Sequence, residues 1–195
     1  ILEIAGGTGG LIVRYAKDAD IAVLSDVDTN AIFKAKSKIN RYNNIHISYA
    51  DALSLPFRCD TFDVVIERNI PLLYLESKLY DGTALKVIEE MKRVSNNRVI
   101  IIDENSSLLN RYILFNQKLK FRRTKNIRYF TGGELKDLLK IAGLLDTDIK
   151  YITHSSSFMF NLLGLKKTRQ IEVTLQNLPF LQKLGGGIIA FGSKY

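Results

Sequence analysis

A glutamate inside an apolar run, a cluster of glycines directly after it, and two aspartates further on are the residues of this chain best suited to chemistry. Residues 1–10 read ILEIAGGTGG. Glu3 interrupts the run, and a carboxylate among apolar side chains needs a buried partner or a functional reason. Ala5, Gly6, Gly7, Gly9 and Gly10 then form a turn whose small residues let backbone come close to a ligand. Amides at the start of the helix expected from Gly9 or Gly10 favour electronegative ligand groups. Taken alone the loop is ambiguous: Ala5, Gly7 and Gly10 also approximate a G-x-G-x-x-G dinucleotide fingerprint with its first glycine replaced. Dinucleotide sites do not require Glu3.

The first aspartate, Asp26, stands within IAVLSDVD directly after an apolar strand, about 20 residues beyond the loop. There a carboxylate accepts from both hydroxyls of a nucleoside ribose, two oxygens matching a vicinal diol. Asp28 or Thr29 can cap the helix expected over 30–41, which leaves Asp26 for a ligand. The second, Asp51, ends the third apolar run, in YADALSLPF. Asp51 can accept from the exocyclic amine of adenine while the Ala52 amide donates to a ring nitrogen, so the two together read an adenine edge.

These residues must be positioned by a sheet. Strands are expected at 1–5, 21–25, 45–49, 62–67, 98–103, 145–152 and 187–194, alternating with segments of helical period. That alternation implies crossover units and a parallel sheet covered on both faces. Ala84, Val87, Ile88, Met91 and Val94 mark one amphipathic crossover helix. Thr131 with Glu134 forms a capping box that opens another, followed by Leu135, Leu138, Leu139 and Ala142 and stopped at Gly143.

In the order and spacing of four blocks, ILEIAGGTGG, SDVDTNAI, YADALSLPF and FDVVIERN, the chain resembles the class I S-adenosylmethionine-dependent methyltransferases, specifically the small-molecule branch related to quinone-biosynthesis enzymes. A fifth block, YFTGGELKDLLKIAGL, resembles the family's late helix. The resemblance implies an α/β, Rossmann-like three-layer sandwich: a seven-stranded, mostly parallel sheet whose last strand is antiparallel. It also implies S-adenosyl-L-methionine as cofactor. Ala5, Gly6, Gly7 and Gly9 would then form the loop lining its methionine portion, with Glu3 ordering the loop or meeting the amino group. Asp26 would hold the ribose, Val27 would cover one adenine face, Asp51 and Ala52 would read the base, and the backbone of Glu67 and Arg68, just past the fourth strand, would contact the methionine ammonium.

Departures from the family pattern accompany the match. Ala5 replaces the loop's usual first glycine, the expected turn Ser95-Asn96-Asn97 lacks a Pro-Gly pair, and Cys59 stands where an aspartate is common. Ile70-Pro71-Leu72-Leu73-Tyr74 occupies the place of paired histidines, so no general base is assigned and the catalytic residues stay unnamed. Of the two histidines, His46 is expected to be structural, and His154 to sit in a polar turn. Relatives carry a helix over the pocket that would precede Ile1.

Composition bounds the rest. With 195 residues, 46% apolar and 25% charged, one globular domain over 1–195 is expected, with substrate-side inserts at about 106–130 and 154–184. One cysteine excludes an internal disulfide and a multi-cysteine zinc site, no metal is expected, and a reducing cytoplasm fits. No apolar run approaches the roughly 20 residues of a membrane span. The net charge of +8 includes six cations between Lys118 and Arg128 without an acid. With Phe121, Tyr129 and Phe130 nearby, that segment suits an anionic substrate, a membrane surface or RNA. SSSFMFNLLGLKK sets apolar residues beside Lys166 and Lys167, which suits an amphiphilic acceptor. The expectation is methyl transfer to a small-molecule or lipid-like acceptor. The alternatives are an NAD-dependent oxidoreductase and an RNA-associated or regulatory domain on the same fold.

Overall fold

A computed structural model of the chain describes residues 1–68, 82–106, 130–152, 170, 173, 183 and 186–195. Ile70–Tyr74, His154, the cations of 118–128 and most of both expected inserts lie outside the described residues.

Seven strands, β1 (Leu2–Ile4), β2 (Ala22–Asp26), β3 (Ile45–Tyr49), β4 (Phe62–Arg68), β5 (Ser95–Glu104), β6 (Leu145–Ile152) and β7 (Gly187–Ser193), form one sheet in the order β3-β2-β1-β4-β5-β7-β6. Pairing is parallel from β3 through to β5, and only β7 runs antiparallel to its neighbours. The strand order reverses between β1 and β4, and a crevice therefore opens at the carboxyl ends of those two strands. The described helices are α1 (Ile12–Tyr15), continued by a 3-10 turn, α2 (Thr29–Ile39), α3 (Thr83–Val94) and α4 (Gly132–Ile141).

Both faces of the sheet are covered, which makes three layers. Leu2, Ile4, Val65, Val99, Ile101 and Ile188 pack with Val87, Ile88 and Met91 of α3 and Leu135 and Leu139 of α4. Ala22, Leu24 and Ile45 pack on the other face with Ile12, Ala16, Ala35 and Ile39. This is the expected α/β architecture, including the antiparallel last strand.

Three local expectations are corrected. The helix after the glycine loop starts at Ile12, not near Gly9 or Gly10, because Gly7 (φ +55°) and Gly9 (φ +71°) hold the loop out of the helical region. The second helix spans 29–39 instead of 30–41; its cap is Asp28, whose side chain accepts from the Asn30 amide at 2.8 Å. Ser95-Asn96-Asn97 is no turn but the start of β5. Ser95 pairs with Phe62, and the register slips before Val64 pairs with Arg98, so a bulge absorbs the extra residue. Ser95 Oγ closes that bulge, donating to the Arg98 carbonyl at 3.1 Å. The Thr131–Glu134 capping box forms as expected.

Candidate functional site

The chain leaves β1 through Ala5, which adopts φ +46°, the left-handed region that suits glycine and strains any side chain. Gly6 then lies flat on β2: its amide donates to the Ser25 carbonyl at 3.0 Å. A Cβ at Gly6 would come within 2.8 Å of Leu24 Cγ and 3.2 Å of the Glu3 carboxyl carbon, so close approach demands glycine there. Gly7 differs. A Cβ on it would meet nothing within 4 Å, and its φ of +55° is what selects glycine. Space above Gly7 is therefore open, while Gly9 is buried against the sheet and α2.

Asp26 is 8% exposed at the end of β2 and joins two loops. Its Oδ2 accepts from the Gly7 amide at 2.7 Å and its Oδ1 from the Asp28 amide at 2.8 Å. Asp28 does take the capping role, but Asp26 is not thereby left unengaged: it braces the glycine loop against the β2–α2 turn. An ionised carboxylate has about four lone-pair directions, so both oxygens retain capacity for a pair of ligand hydroxyls.

The Asp26 carbonyl accepts from Ala50 at 3.1 Å, which brings the exit of β3 alongside. There Asp51 is exposed and shapes its own turn, its Oδ1 accepting from Leu53 at 2.9 Å and its carbonyl from Ser54 at 3.1 Å. Ala52 is buried. Val27 is 54% exposed on the neighbouring turn, and Tyr49 and Leu53 are exposed apolar side chains of the same edge. Sequence reasoning missed the latter two; the signal was an apolar residue two positions past Asp51, in a turn that ordinarily takes polar ones.

Glu3 lies beneath the loop, 2% exposed, with no hydrogen-bond partner on Oε2. Burial pushes its carboxyl up to about 7, against the pull of the Ile12 amide and of Arg68. Glu67, buried, and Arg68, exposed, are the last two residues of β4, not residues beyond it, because Arg68 still pairs with Ile102 of β5. His46 is exposed near the start of the edge strand β3 and is not brought to this group. Cys59 is exposed beside Arg93. No cluster of metal-ligating side chains occurs among the described residues, and no described helix is long and apolar enough to cross a membrane.

The arrangement fits a nucleoside carrying a cationic tail. Open space over Gly7 admits the ligand, a buried carboxyl with an orphaned oxygen matches a cation, and the Asp26 and Asp51 turns flank an exposed apolar surface.

Residues 1–98, half of the chain, match the methyltransferase-domain family. The chain belongs to that family. A ubiquinone/menaquinone biosynthesis C-methyltransferase UbiE from Teredinibacter turnerae is 30% identical over 107 residues, covering 47% of this chain and 43% of that protein. A UbiE from Blochmanniella pennsylvanica is 34% identical over 71 residues, 33% of this chain and 28% of that protein. The match thus spans less than half the length of either curated relative. A SAM-dependent methyltransferase structure from Archaeoglobus fulgidus superposes with a TM-score of 0.66 at 14% identity, covering 98% of this chain and 84% of that one. Magnesium protoporphyrin IX methyltransferase (ChlM) from Synechocystis, solved with bound SAH, gives 0.65 at 14% identity, covering 100% and 73%. Those identities speak for the fold, which is the Rossmann-like methyltransferase fold. S-adenosylmethionine is the cofactor that belongs with this methyltransferase domain, and neither the NAD-dependent nor the RNA-associated alternative is favoured.

Proposed function

We propose that this methyltransferase domain transfers the methyl group of S-adenosylmethionine to a small-molecule or lipid-like acceptor, as a single domain over 1–195. The observation that carries the reading is Asp26: one carboxylate bracing both the glycine loop and the β2–α2 turn, next to the Asp51 turn and above the buried Glu3. When bound, the cofactor supplies a methyl on a sulfonium already activated for displacement, which leaves the protein to position and shield.

Each residue has a part in that positioning. Asp26 accepts from the ribose hydroxyls, Asp51 and the Ala52 amide read the adenine edge, and Val27 with Leu53 covers its faces. The glycine loop lets the methionine portion lie against backbone at Gly6, Gly7 and Gly9. Glu3 stiffens the loop or meets the ammonium, whose remaining contacts come from the backbone of Glu67 and Arg68.

Two features support the acceptor class. The two curated relatives named above are ubiquinone/menaquinone biosynthesis C-methyltransferases. Described residues at or next to the expected inserts at 106–130 and 154–184 also lie at the carboxyl edge of the sheet, where Ser106 donates to Phe130 at 2.9 Å and Ile152 pairs with Gly187. A cytoplasmic setting belongs to the same proposal.

Calorimetric titration with S-adenosylmethionine, S-adenosylhomocysteine and NADH tests the cofactor, with binding of the first two and not the third expected. Incubation with methyl-labelled cofactor and separate lipid, small-molecule, RNA and protein fractions tests the acceptor. Label in the RNA or protein fraction, with none in the other two, overturns the acceptor class.

A further inference from the structure

Along β5 the core-facing side chains are Val99, Ile101 and then Asp103, exposed by 0%, 0% and 3%. A carboxylate therefore stands where the third apolar residue of the strand would be. Its Oδ1 accepts from the Glu104 amide at 2.7 Å, and its Oδ2 has no hydrogen-bond partner. Leaving a buried carboxyl oxygen orphaned is costly, so a strand-end carboxylate of this kind calls for a ligand or a proton.

Its surroundings say which. Arg68 pairs with Ile102, so Asp103 sits one residue further along the strand next to the end of β4, within roughly 5–7 Å of that backbone. Directly beyond it Asn105 donates to the carbonyls of Gly186 and Lys183, and Ser106 to that of Phe130. The flanks of both inserts thus converge on the exit of β5. Of the described buried carboxyls, Asp103 is the one that lies beside those flanks, two residues before Asn105.

We infer that Asp103 is the acid–base group of the transfer site, its carboxylate facing the transferred methyl and taking the acceptor's proton; this rests on the methyl-transfer reading above. The acceptor's nucleophilic atom bonds to the methyl carbon as the carbon–sulfur bond breaks and its electron pair stays on sulfur. The proton released from the acceptor goes to Oδ2 and from there to solvent. Burial, with the charge of Glu104 beside it, pushes the Asp103 carboxyl up to about 7, suited to a base at neutral pH. Of the other neighbours, β7 presents Ile188 in register, Glu67 lies one pleat back on β4, and Phe130 and Thr131 entering α4 are uncharged.

Titration of the full chain near pH 7 with S-adenosylmethionine and, separately, S-adenosylhomocysteine, in two buffers of different ionisation enthalpy, counts the protons each ligand releases. The two share ammonium, ribose and adenine, so a group that meets only those parts responds alike to both. Only the first carries the sulfonium charge, and an opposite charge within about 4–6 Å lowers a carboxyl pKa by about 1–3 units. A group titrating near 7 is half protonated there, so S-adenosylmethionine should release about half a proton more than its product. In Asp103→Asn that difference should vanish with product affinity unchanged. Equal proton counts in the wild type, a difference that survives in Asp103→Asn, or methyl labelling of cell extract by the variant at the wild-type rate each overturns the inference. If the variant fails to fold, carboxyl carbon-13 NMR of the wild type serves instead: the Asp103 midpoint must be lower in the S-adenosylmethionine complex, and equal midpoints overturn it. Failure of the wild type to bind either ligand is a separate result, and overturns the methyl-transfer reading itself.

Discussion

Glu90 and Arg93, one turn apart on α3, are joined by two hydrogen bonds, Nε to Oε1 at 2.7 Å and Nη2 to Oε2 at 2.8 Å, and between them grip the backbone that follows Asp51. Glu90 Oε2 accepts from the Leu55 amide at 2.8 Å. The Arg93 guanidinium donates to the Phe57 carbonyl at 2.8 Å and the Leu55 carbonyl at 2.9 Å. The segment from Asp51 to Thr61 contains no helix or strand of its own, and beyond the Asp51 turn this pair holds it at Leu55 and Phe57. An exposed ion pair alone is worth little, but here each partner also satisfies main-chain groups.

Arg93→Lys is therefore expected to behave as a severe change despite keeping the charge, because an ammonium cannot span both carbonyls and the carboxylate in one plane. A loss of about 1.5–3 kcal/mol in stability is expected from the charged hydrogen bonds removed. Affinity for S-adenosylhomocysteine and for adenosine should fall together, by about tenfold, since the loop reads the base both share. Thermal melts and calorimetry check this; unchanged adenosine affinity would show that α3 does not position the adenine loop.

Ala5→Gly should stabilise the chain. The left-handed conformation at φ +46° costs an alanine about 1–2 kcal/mol, and glycine's greater freedom in the unfolded chain gives back about 0.5–1 kcal/mol. A net gain of about 0.5–1 kcal/mol should appear as a higher urea midpoint with unchanged slope. Gly7→Ala should lose a comparable amount although nothing obstructs the added methyl.

Asp26 and Asp51 both serve the ligand in the proposed function, yet they should separate cleanly in stability. Asp26→Ala strips the carboxylate from the Gly7 and Asp28 amides and should cost about 2–3 kcal/mol. Asp51→Ala, at an exposed turn, should cost less than about 1 kcal/mol. Each should weaken S-adenosylhomocysteine binding by about tenfold or more. Denaturation curves paired with titrations distinguish the two.

What could be read from the residues, and what could not, divides along a physical line. Strand period, helical stripes, the capping box at Thr131 and the cap at Asp28 are local signals, and the structure follows them to within a few residues. The bulge at Ser95 escaped because three polar residues look like a turn, and only pairing with Phe62 makes them strand. Asp26 was found by its place at the end of the second apolar run, but its grip on Gly7 is a contact across 19 positions that spacing does not encode. Asp103 was passed over for the same reason: a carboxylate ending the run VIIID resembles Glu3 in pattern, yet only the folded sheet shows that its oxygen has no partner.

The pH dependence of stability follows from those two carboxyls. Burial raises Glu3 from 4.5, and Asp103 from 3.8, to about 7. Between the ordinary and the raised values the folded chain holds protons that the unfolded chain has lost, so stability falls as pH rises through that window. At about 1.4 kcal/mol per pKa unit the loss by pH 7.5 is on the order of 3 kcal/mol for Glu3 and about 4 kcal/mol for Asp103. Glu90 acts the other way: its hydrogen bond from Arg93 lowers its pKa, and that contribution disappears as pH drops below the ordinary value. The ligand-free chain should thus be more stable near pH 5.5 than at pH 7.5, with a decline on the acid side of 4.5. Urea denaturation across this range measures the slope. Glu3→Gln and Asp103→Asn should each flatten its neutral limb, and a limb unchanged in both would mean that the two carboxyls are ionised in the folded chain.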